Sequence, residues 1–311
     1  TRVNFDAAAG DSARAKGPAS PFLARPPMAL GRSKTSEGVR ELLAEPRFEL
    51  MPFDSFDEQT AHLPNGASIA ITMSPNLSVD RTVEATEEAM ADGFEVIPHI
   101  AARYIEGEEH LEEVVDRLEA AGVTDIFVPG GDLEEPAGKY DSAYSMLVDL
   151  DEMDHPFERI GITGYPEGHA FIEDDTLAEH MEKKEPYADY ITTQLCYDPN
   201  AVIDWIDEIR GRGVELPIEV GIPGVMKYQR LLSISQKVGV GDSVRFLRKT
   251  TGIFGFIKQL IGSRGQYKPN DLVDGLGEYA NDDRYDIEGI HIYTFNQVPD
   301  TEDWRTSKLD S

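Results

Sequence analysis

The sequence predicts an α/β protein, a (β/α)8 TIM barrel with an N-terminal extension. Three observations carry this reading. Eight short apolar runs recur along the chain, each is followed by a stretch that reads as helix or contains one, and polar residues gather where the runs end. Strand–helix alternation repeated eight times is the pattern of this barrel, and its chemistry sits on the loops after the C-terminal strand ends. The 311 residues exceed the roughly 250 of a typical barrel and suffice for one large core. We expect an N-terminal arm and short helix over 1–46 and the catalytic barrel over 47–311.

Residues 1–35, rich in Ala, Gly, Pro and Ser, cannot build a core. They suit an arm packed on the barrel or on a neighbouring subunit. Ser36–Glu45 reads as a short serine-capped helix that could close the barrel bottom. The eight expected strands are Arg47–Phe53, Ser68–Ser74, Phe94–Ile100, Asp125–Gly131, Arg159–Tyr165, Tyr190–Cys196, Pro217–Pro223 and Gly289–Phe295. Their near-continuous apolar character suits parallel strands covered on both faces. Between them, a helix opens at Ser78 and runs to about Ala91. Glu108–Ala121 carries an apolar stripe at Leu111, Val114, Val115, Leu118 and Ala121, and Gly122 stops it. Further helices are expected over Asn200–Arg212, Tyr228–Val238 and from Gly241 to about Gly262, with a final one over Pro269–Ala280. No comparable helix follows Tyr165 directly; Pro166–Asp175 is irregular and polar, which suits a site.

A formal charge of −29, with 11 lysines against 18 arginines among the basic residues, argues against nucleic-acid and anionic-membrane partners. An acid-rich, lysine-poor surface also suits concentrated salt, where the Debye length falls to about 3 Å, so we expect a halophilic, cytoplasmic protein. The single cysteine, Cys196, permits no intramolecular disulfide and lies in an apolar run, as a small buried hydrophobe would. The sequence has neither an 18-residue apolar stretch nor a secretory pattern at its start.

Seven of the eight strand ends deliver polar groups: Glu49; Thr72 and Ser74; His99; Asp132; Tyr165 with Glu167 and His169; Gln194; Tyr293 with Thr294. Any one could be structural; together they predict a convergent polar pocket. Glu49 lies within the first run, flanked by Phe48, Leu50 and Met51, so its carboxylate should be half-buried and its pKa raised. Such an acid can protonate a substrate nitrogen or oxygen near neutral pH; the alternative is a core glutamate paired with an arginine. Asp132 follows Gly130 and Gly131, which admit a backbone or a flat ring, and it can accept two N–H bonds from a heterocycle or serve as a turn residue. His99, His169 and His291 could ligate a metal with Glu49 or Asp132, but the first strand ends in no His-x-His and no helix pairs two histidines four apart. We expect no metal.

From Phe48 to Asn296 these pieces resemble the methylenetetrahydrofolate reductase family, in its order. Phe48-Glu49 resembles the first-strand motif with the acid, and Ala70-Ile71-Thr72 the second strand. Pro98-His99-Ile100 is similar to the family's Pro-His-Leu, and Gly131-Asp132 to the end of its Arg-Gly-Asp. Tyr165-Pro166-Glu167-Gly168-His169 is the most specific piece; Thr193-Gln194, Pro223-Gly224 and His291-Ile292-Tyr293-Thr294 complete the series. The resemblance implies a barrel in one-carbon metabolism and methionine biosynthesis that reduces 5,10-methylenetetrahydrofolate to 5-methyltetrahydrofolate. NAD(P)H is the electron source, through FAD in the usual bacterial members. It also implies Glu49 as general acid at the pterin N5, opening the ring to an iminium that takes hydride. Asp132, Gln194 and Tyr228 would bind the folate. Thr72, His99, Tyr165, His169 and, by an ungapped count back from Gln194, Lys183 fall at flavin contacts.

The chain departs from the family at Gly130, where an arginine is expected, and at Arg230 and Ile234, where a glutamine and a phenylalanine are expected. The segment Gly239–Lys249 resembles a shorter branch, related to actinobacterial reductases, some of which work without flavin. FAD and direct hydride transfer from NAD(P)H both remain open. We expect a homo-oligomer with a small-molecule folate substrate. A tetrahydrofolate-dependent methyltransferase or demethylase on the same barrel, and a non-catalytic folate-binding barrel, are the other readings, since fold alone does not separate them.

Overall fold

The computed structural model describes residues 35–73, 77–169, 172–231, 233 and 265–311. The N-terminal arm before Thr35, Ser74, Ile234, the 239–249 segment and the helix expected from Gly241 lie outside the described residues, as does most of the helix expected over Tyr228–Val238.

The eight predicted runs all contain strands. These are β1 (Arg47–Leu50), β2 (Ser68–Ile71), β3 (Glu95–Pro98), β4 (Asp125–Phe127), β5 (Arg159–Gly164), β6 (Tyr190–Thr193), β7 (Ile218–Pro223) and, after a short antiparallel pair β8 (Met226–Lys227) and β9 (Gln266–Tyr267), β10 (Ile287–Tyr293). The sheet runs β3-β2-β1-β10-β7-β6-β5-β4, with neighbouring strands parallel. A parallel bridge between His99 and Phe127 joins its two ends, where the Ile100 N–H donates to the Phe127 carbonyl at 2.8 Å. The ring is thereby closed as a (β/α)8 barrel. The β8–β9 pair was not expected from the sequence; each of its strands is two residues long, too short for an alternation to show.

The helices form where apolar spacing and caps agree. In α1 (Glu37–Ala44) the Ser36 hydroxyl accepts from the Val39 N–H, and Val39, Leu42 and Leu43 are buried. The helix α2 (Phe56–Thr60) is a single short turn after β1. Ser78 caps α3 (Val79–Ala91) in the same way as Ser36. In α4 (Glu108–Ala121) the stripe Leu111, Val114, Val115 and Leu118 is buried, and Gly122 ends it at φ 81°. The remaining helices are α5 (Ala143–Glu152), α6 (Asp174–Lys184), α7 (Pro199–Gly211), α8 (Asn270–Leu276) and α9 (Val298–Leu309).

One expectation needs correction. The helix expected over Pro269–Ala280 spans only Asn270–Leu276, and it is not the last. The chain goes on to α9, whose buried face is Val298, Thr301, Trp304 and Arg305. Two of those four are polar, so the stripe has helical spacing without an apolar signature. Arg305 is held by the carbonyls of Leu43 and Ala44 and by Glu302, which is why a charged residue can face inward there. Among the described residues no helix is long and apolar enough to cross a membrane.

Inside the barrel a polar layer occupies the start of the strands. Arg47, 6% exposed, contacts Asp125 at 3.0 Å and Glu219 at 2.9 Å, and donates to the Tyr190 hydroxyl at 2.9 Å. Gly161 makes room for that tyrosine: a Cβ there would lie 2.3 Å from its ring. A strand repeats its facing every two residues, so Glu49 points the same way as Arg47, one layer nearer the C-terminal ends.

Candidate active site

Glu49 pairs in register with Ala70 on β2 and Tyr293 on β10, which places it between two strands that both carry site residues at their ends. Its Oε2 lies 3.3 Å from His291 Nε2 and 3.8 Å from His99 Nδ1. The side chain is 12% exposed. Burial pushes the carboxyl up to about 7, against a smaller downward pull from His99. Both imidazoles are pushed down to about 3, chiefly by burial. Near pH 6 the group is therefore a protonated acid between two neutral rings, not an ion pair. Among the described residues no arginine holds Glu49; Arg47 is engaged with Asp125 and Glu219.

The strand end carrying Glu49 is clamped. Thr294 donates from Oγ1 to the Glu49 carbonyl at 2.5 Å, and the Asn296 side chain bonds both the N–H and the carbonyl of Met51, at 2.9 and 3.0 Å. Phe295 and Asn296 hold φ of 48° and 54° in this turn. A bulky residue in the left-handed region is uncommon, and such strain collects at functional sites.

The other predicted residues surround this centre unevenly. Thr72 follows β2 and donates its N–H to the Leu50 carbonyl at 3.0 Å, beside the Glu49 strand end. His99 packs on Phe127 with ring centres 4.6 Å apart. Asp132 is exposed and accepts from the Tyr104 hydroxyl at 2.5 Å. Gly131 has φ 91°, and a Cβ there would lie 3.3 Å from the Tyr104 ring, so the flat ring this glycine admits is the protein's own. Gln194 follows β6, and its side-chain oxygen accepts the Leu195 N–H at 2.8 Å. Tyr228 is 5% exposed, in an edge-on contact with Tyr267 inside an apolar cluster with Leu195, Tyr197, Met226 and Leu231. Cys196 is fully buried.

Tyr165 and His169 meet edge to face, with centres 5.3 Å apart, on the rim of a cavity of about 690 Å³. This cavity lies between α6, α7 and the loop after β5, and Glu49 is not among its lining residues. Glu167 also lines it. Its Oε1 accepts the N–H groups of Tyr197 and Asp198, its Oε2 is buried without a partner among the described residues, and burial pushes it up to about 7. Lys183 is exposed on α6 and does not line the cavity, whereas its neighbour Lys184 is buried and pushed down to about 8.

Two groups had no assigned role from sequence reasoning beyond a strand-end polar residue and a weighed metal ligand: Glu167 and His291. Register gives the signal for His291, since Arg47 pairs with His291 just as Glu49 pairs with Tyr293. Glu49, His99 and His291 bring one potential ligand atom each within 4.8 Å of one another; among the described residues His169 and Asp132 are not in that group. Imidazoles that bind metals have their far nitrogen anchored by a partner. Here, among the described residues, His99 Nε2 and His291 Nδ1 are buried without one. The trio reads as an acid flanked by two neutral rings.

A flavin dinucleotide fits these residues poorly. Among the described residues the cavity lining carries five carboxylates, Glu167, Glu173, Asp174, Asp204 and Glu208, and no lysine or arginine. A pyrophosphate is held by cations or helix N-termini; the α6 N-terminus that reaches this cavity carries Glu173 and Asp174, whose carboxylates repel it.

A sequence profile of methylenetetrahydrofolate reductase matches residues 45–254. Methylenetetrahydrofolate reductase 1 of Schizosaccharomyces pombe is 40% identical over 72 residues, 22% of this chain and 11% of that protein. Methylenetetrahydrofolate reductase 2 of Saccharomyces cerevisiae is 32% identical over 141 residues, 44% of this chain and 22% of that protein. A probable methylenetetrahydrofolate reductase (NADH) of Oryza sativa is 23% identical over 221 residues, 65% of this chain and 35% of that protein. The matched regions thus span about a tenth to a third of these relatives. A chitinase from Rhizomucor miehei overlays at a TM-score of 0.46 with 10% identity, covering 86% of this chain and 99% of that one, which says nothing of function. With the profile matched over β1 to β7, the chain belongs to the methylenetetrahydrofolate reductase family.

Proposed function

We propose that this chain reduces 5,10-methylenetetrahydrofolate to 5-methyltetrahydrofolate, with Glu49 as the general acid. The observation that supports it best is the half-buried Glu49 carboxyl, lifted to about 7 beside two neutral imidazoles. An acid poised near the working pH is what proton donation to a leaving nitrogen needs.

Electron balance refines the assignment made from sequence. The iminium that accepts hydride forms between N5 and the bridging carbon, so the bond that breaks is the one from that carbon to N10. Its electron pair stays on N10, and the Glu49 proton must end there, not on N5. Glu49 is left as the carboxylate. Hydride then reaches the bridging carbon and gives the N5-methyl product, with a nicotinamide as donor; relatives named for NADH support that class. Because the described cavity lining does not fit a flavin dinucleotide, no step is routed through one. Asp132 and Gln194 fit a role in holding the pterin edge, each offering a carboxylate or amide oxygen on a loop after its strand. Tyr228 fits a wall of the site better than a polar contact, since its ring is packed against Tyr267.

The test is consumption of NADH or NADPH with formation of 5-methyltetrahydrofolate in molar KCl. Glu49→Gln is expected to keep folate binding and lose roughly 2 to 4 orders of magnitude in rate. Methyl transfer without nicotinamide consumption would replace this reading with the transferase.

A further inference from the structure

The Glu49 carboxyl has two oxygens, and only one can carry the acidic proton. We propose that His291 decides which: its Nε2–H donates to Glu49 Oε2, leaving the proton on Oε1. His291 is then a positioning residue, acting on the substrate only through Glu49. The inference rests on Glu49 being the acid proposed above.

Three observations lead there. His291 Nε2 lies 3.3 Å from Glu49 Oε2, within reach of a hydrogen bond, whereas His99 Nδ1 at 3.8 Å from the same oxygen is not. A carboxylate only accepts, so the facing nitrogen must carry hydrogen whenever Glu49 is ionised. The far nitrogen of His291, Nδ1, is buried without a partner among the described residues. A bare ring nitrogen tolerates that better than an N–H does, since orphaned buried donors are the rarer case. The Nε2–H tautomer satisfies all three, and it serves the protonated and ionised acid without rearrangement. His99 instead packs on Phe127 and lies over the His291 ring at 6.0 Å, completing the dry wall.

Other titratable groups face the acid as well. Tyr293 on β10 and His99 after β3 lie beside it, and Arg47 lies one layer below with Asp125, Glu219 and Tyr190. None of these is bonded to Glu49 Oε1 or Oε2, so the His291 contact is the one that tells the two oxygens apart.

The experiment reads the site without substrate. In protein labelled at histidine nitrogens, the wild-type His291 ring shifts report its tautomer: a protonated Nε2 supports the proposal, and a bare Nε2 overturns it. In protein labelled at glutamate carboxyls, with the Glu49 signal assigned by its loss in Glu49→Gln, the wild-type midpoint is expected near 7. His291→Leu removes a donor to the charged form and should raise that midpoint by about 1 to 2 pH units. His291→Gln, which returns an N–H, should bring it back. A midpoint that falls or stays in the leucine variant, or that glutamine does not restore, overturns the proposal. So does stoichiometric zinc binding that requires both imidazoles. Full turnover by Glu49→Gln would instead defeat the catalytic reading while leaving the tautomer result standing.

Discussion

Replacing Glu49 with glutamine should stabilise the protein at high pH. Burial raises the folded-state pKa of Glu49 from its ordinary 4.5 to about 7. The folded state thus holds a proton that the unfolded chain releases through pH 4.5. Its contribution to stability is full below that point and is lost as pH rises to about 7. Each factor of ten in the ionisation constant is about 1.4 kcal/mol, so the whole effect is about 3 kcal/mol. Glutamine mimics the protonated acid in shape and never ionises. Urea unfolding of wild type and Glu49→Gln in molar KCl should therefore coincide at pH 4 and diverge through pH 7, the variant being more stable by about 3 kcal/mol at pH 8. Glu167 and Glu219, lifted to about 7 and about 6, tilt both proteins the same way and cancel in the comparison. A variant less stable at pH 8, or a difference independent of pH, would refute a dry, strained acid at this position.

Arg47→Leu leaves Asp125 and Glu219 facing each other without their cation, and breaking a buried pair of this kind costs about 3 to 5 kcal/mol; urea unfolding at pH 7 measures it, and a loss below about 1 kcal/mol would contradict the network. With a formal charge of −29, self-repulsion should be severe at low ionic strength and screened at high. The melting temperature should rise markedly from low to molar KCl; an unchanged value would remove the halophilic reading.

Much of the barrel was legible because its strands are short, apolar and separated by capped helices. Ser78 and Gly122 mark helix ends that the structure places beside Val79 and at Ala121. What could not be read was polar and buried. Arg305 and Thr301 hide the inner face of α9, and Arg47, Asp125 and Glu219 sit first or second in their strands, where a charge looks like a solvated end until three strands bring them together. The site divides in the same way. Glu49 was visible from its apolar neighbours, whereas its contact with His291 depends on the pairing of β1 with β10, 242 residues away in sequence. Lys183 was placed by counting along the chain, which carries no information on which face of α6 it occupies; that face proves to be the exposed one.

The most direct measurement is the pH dependence of single-turnover hydride transfer to 5,10-methylenetetrahydrofolate, in wild type and Glu49→Gln at molar KCl. If Glu49 donates the proton, the wild-type rate is level on the acid side and falls about tenfold per pH unit above about 7. The variant then shows a low rate without that break. A wild-type profile flat from pH 6 to 9, or a variant within a few-fold of wild type, would contradict the account.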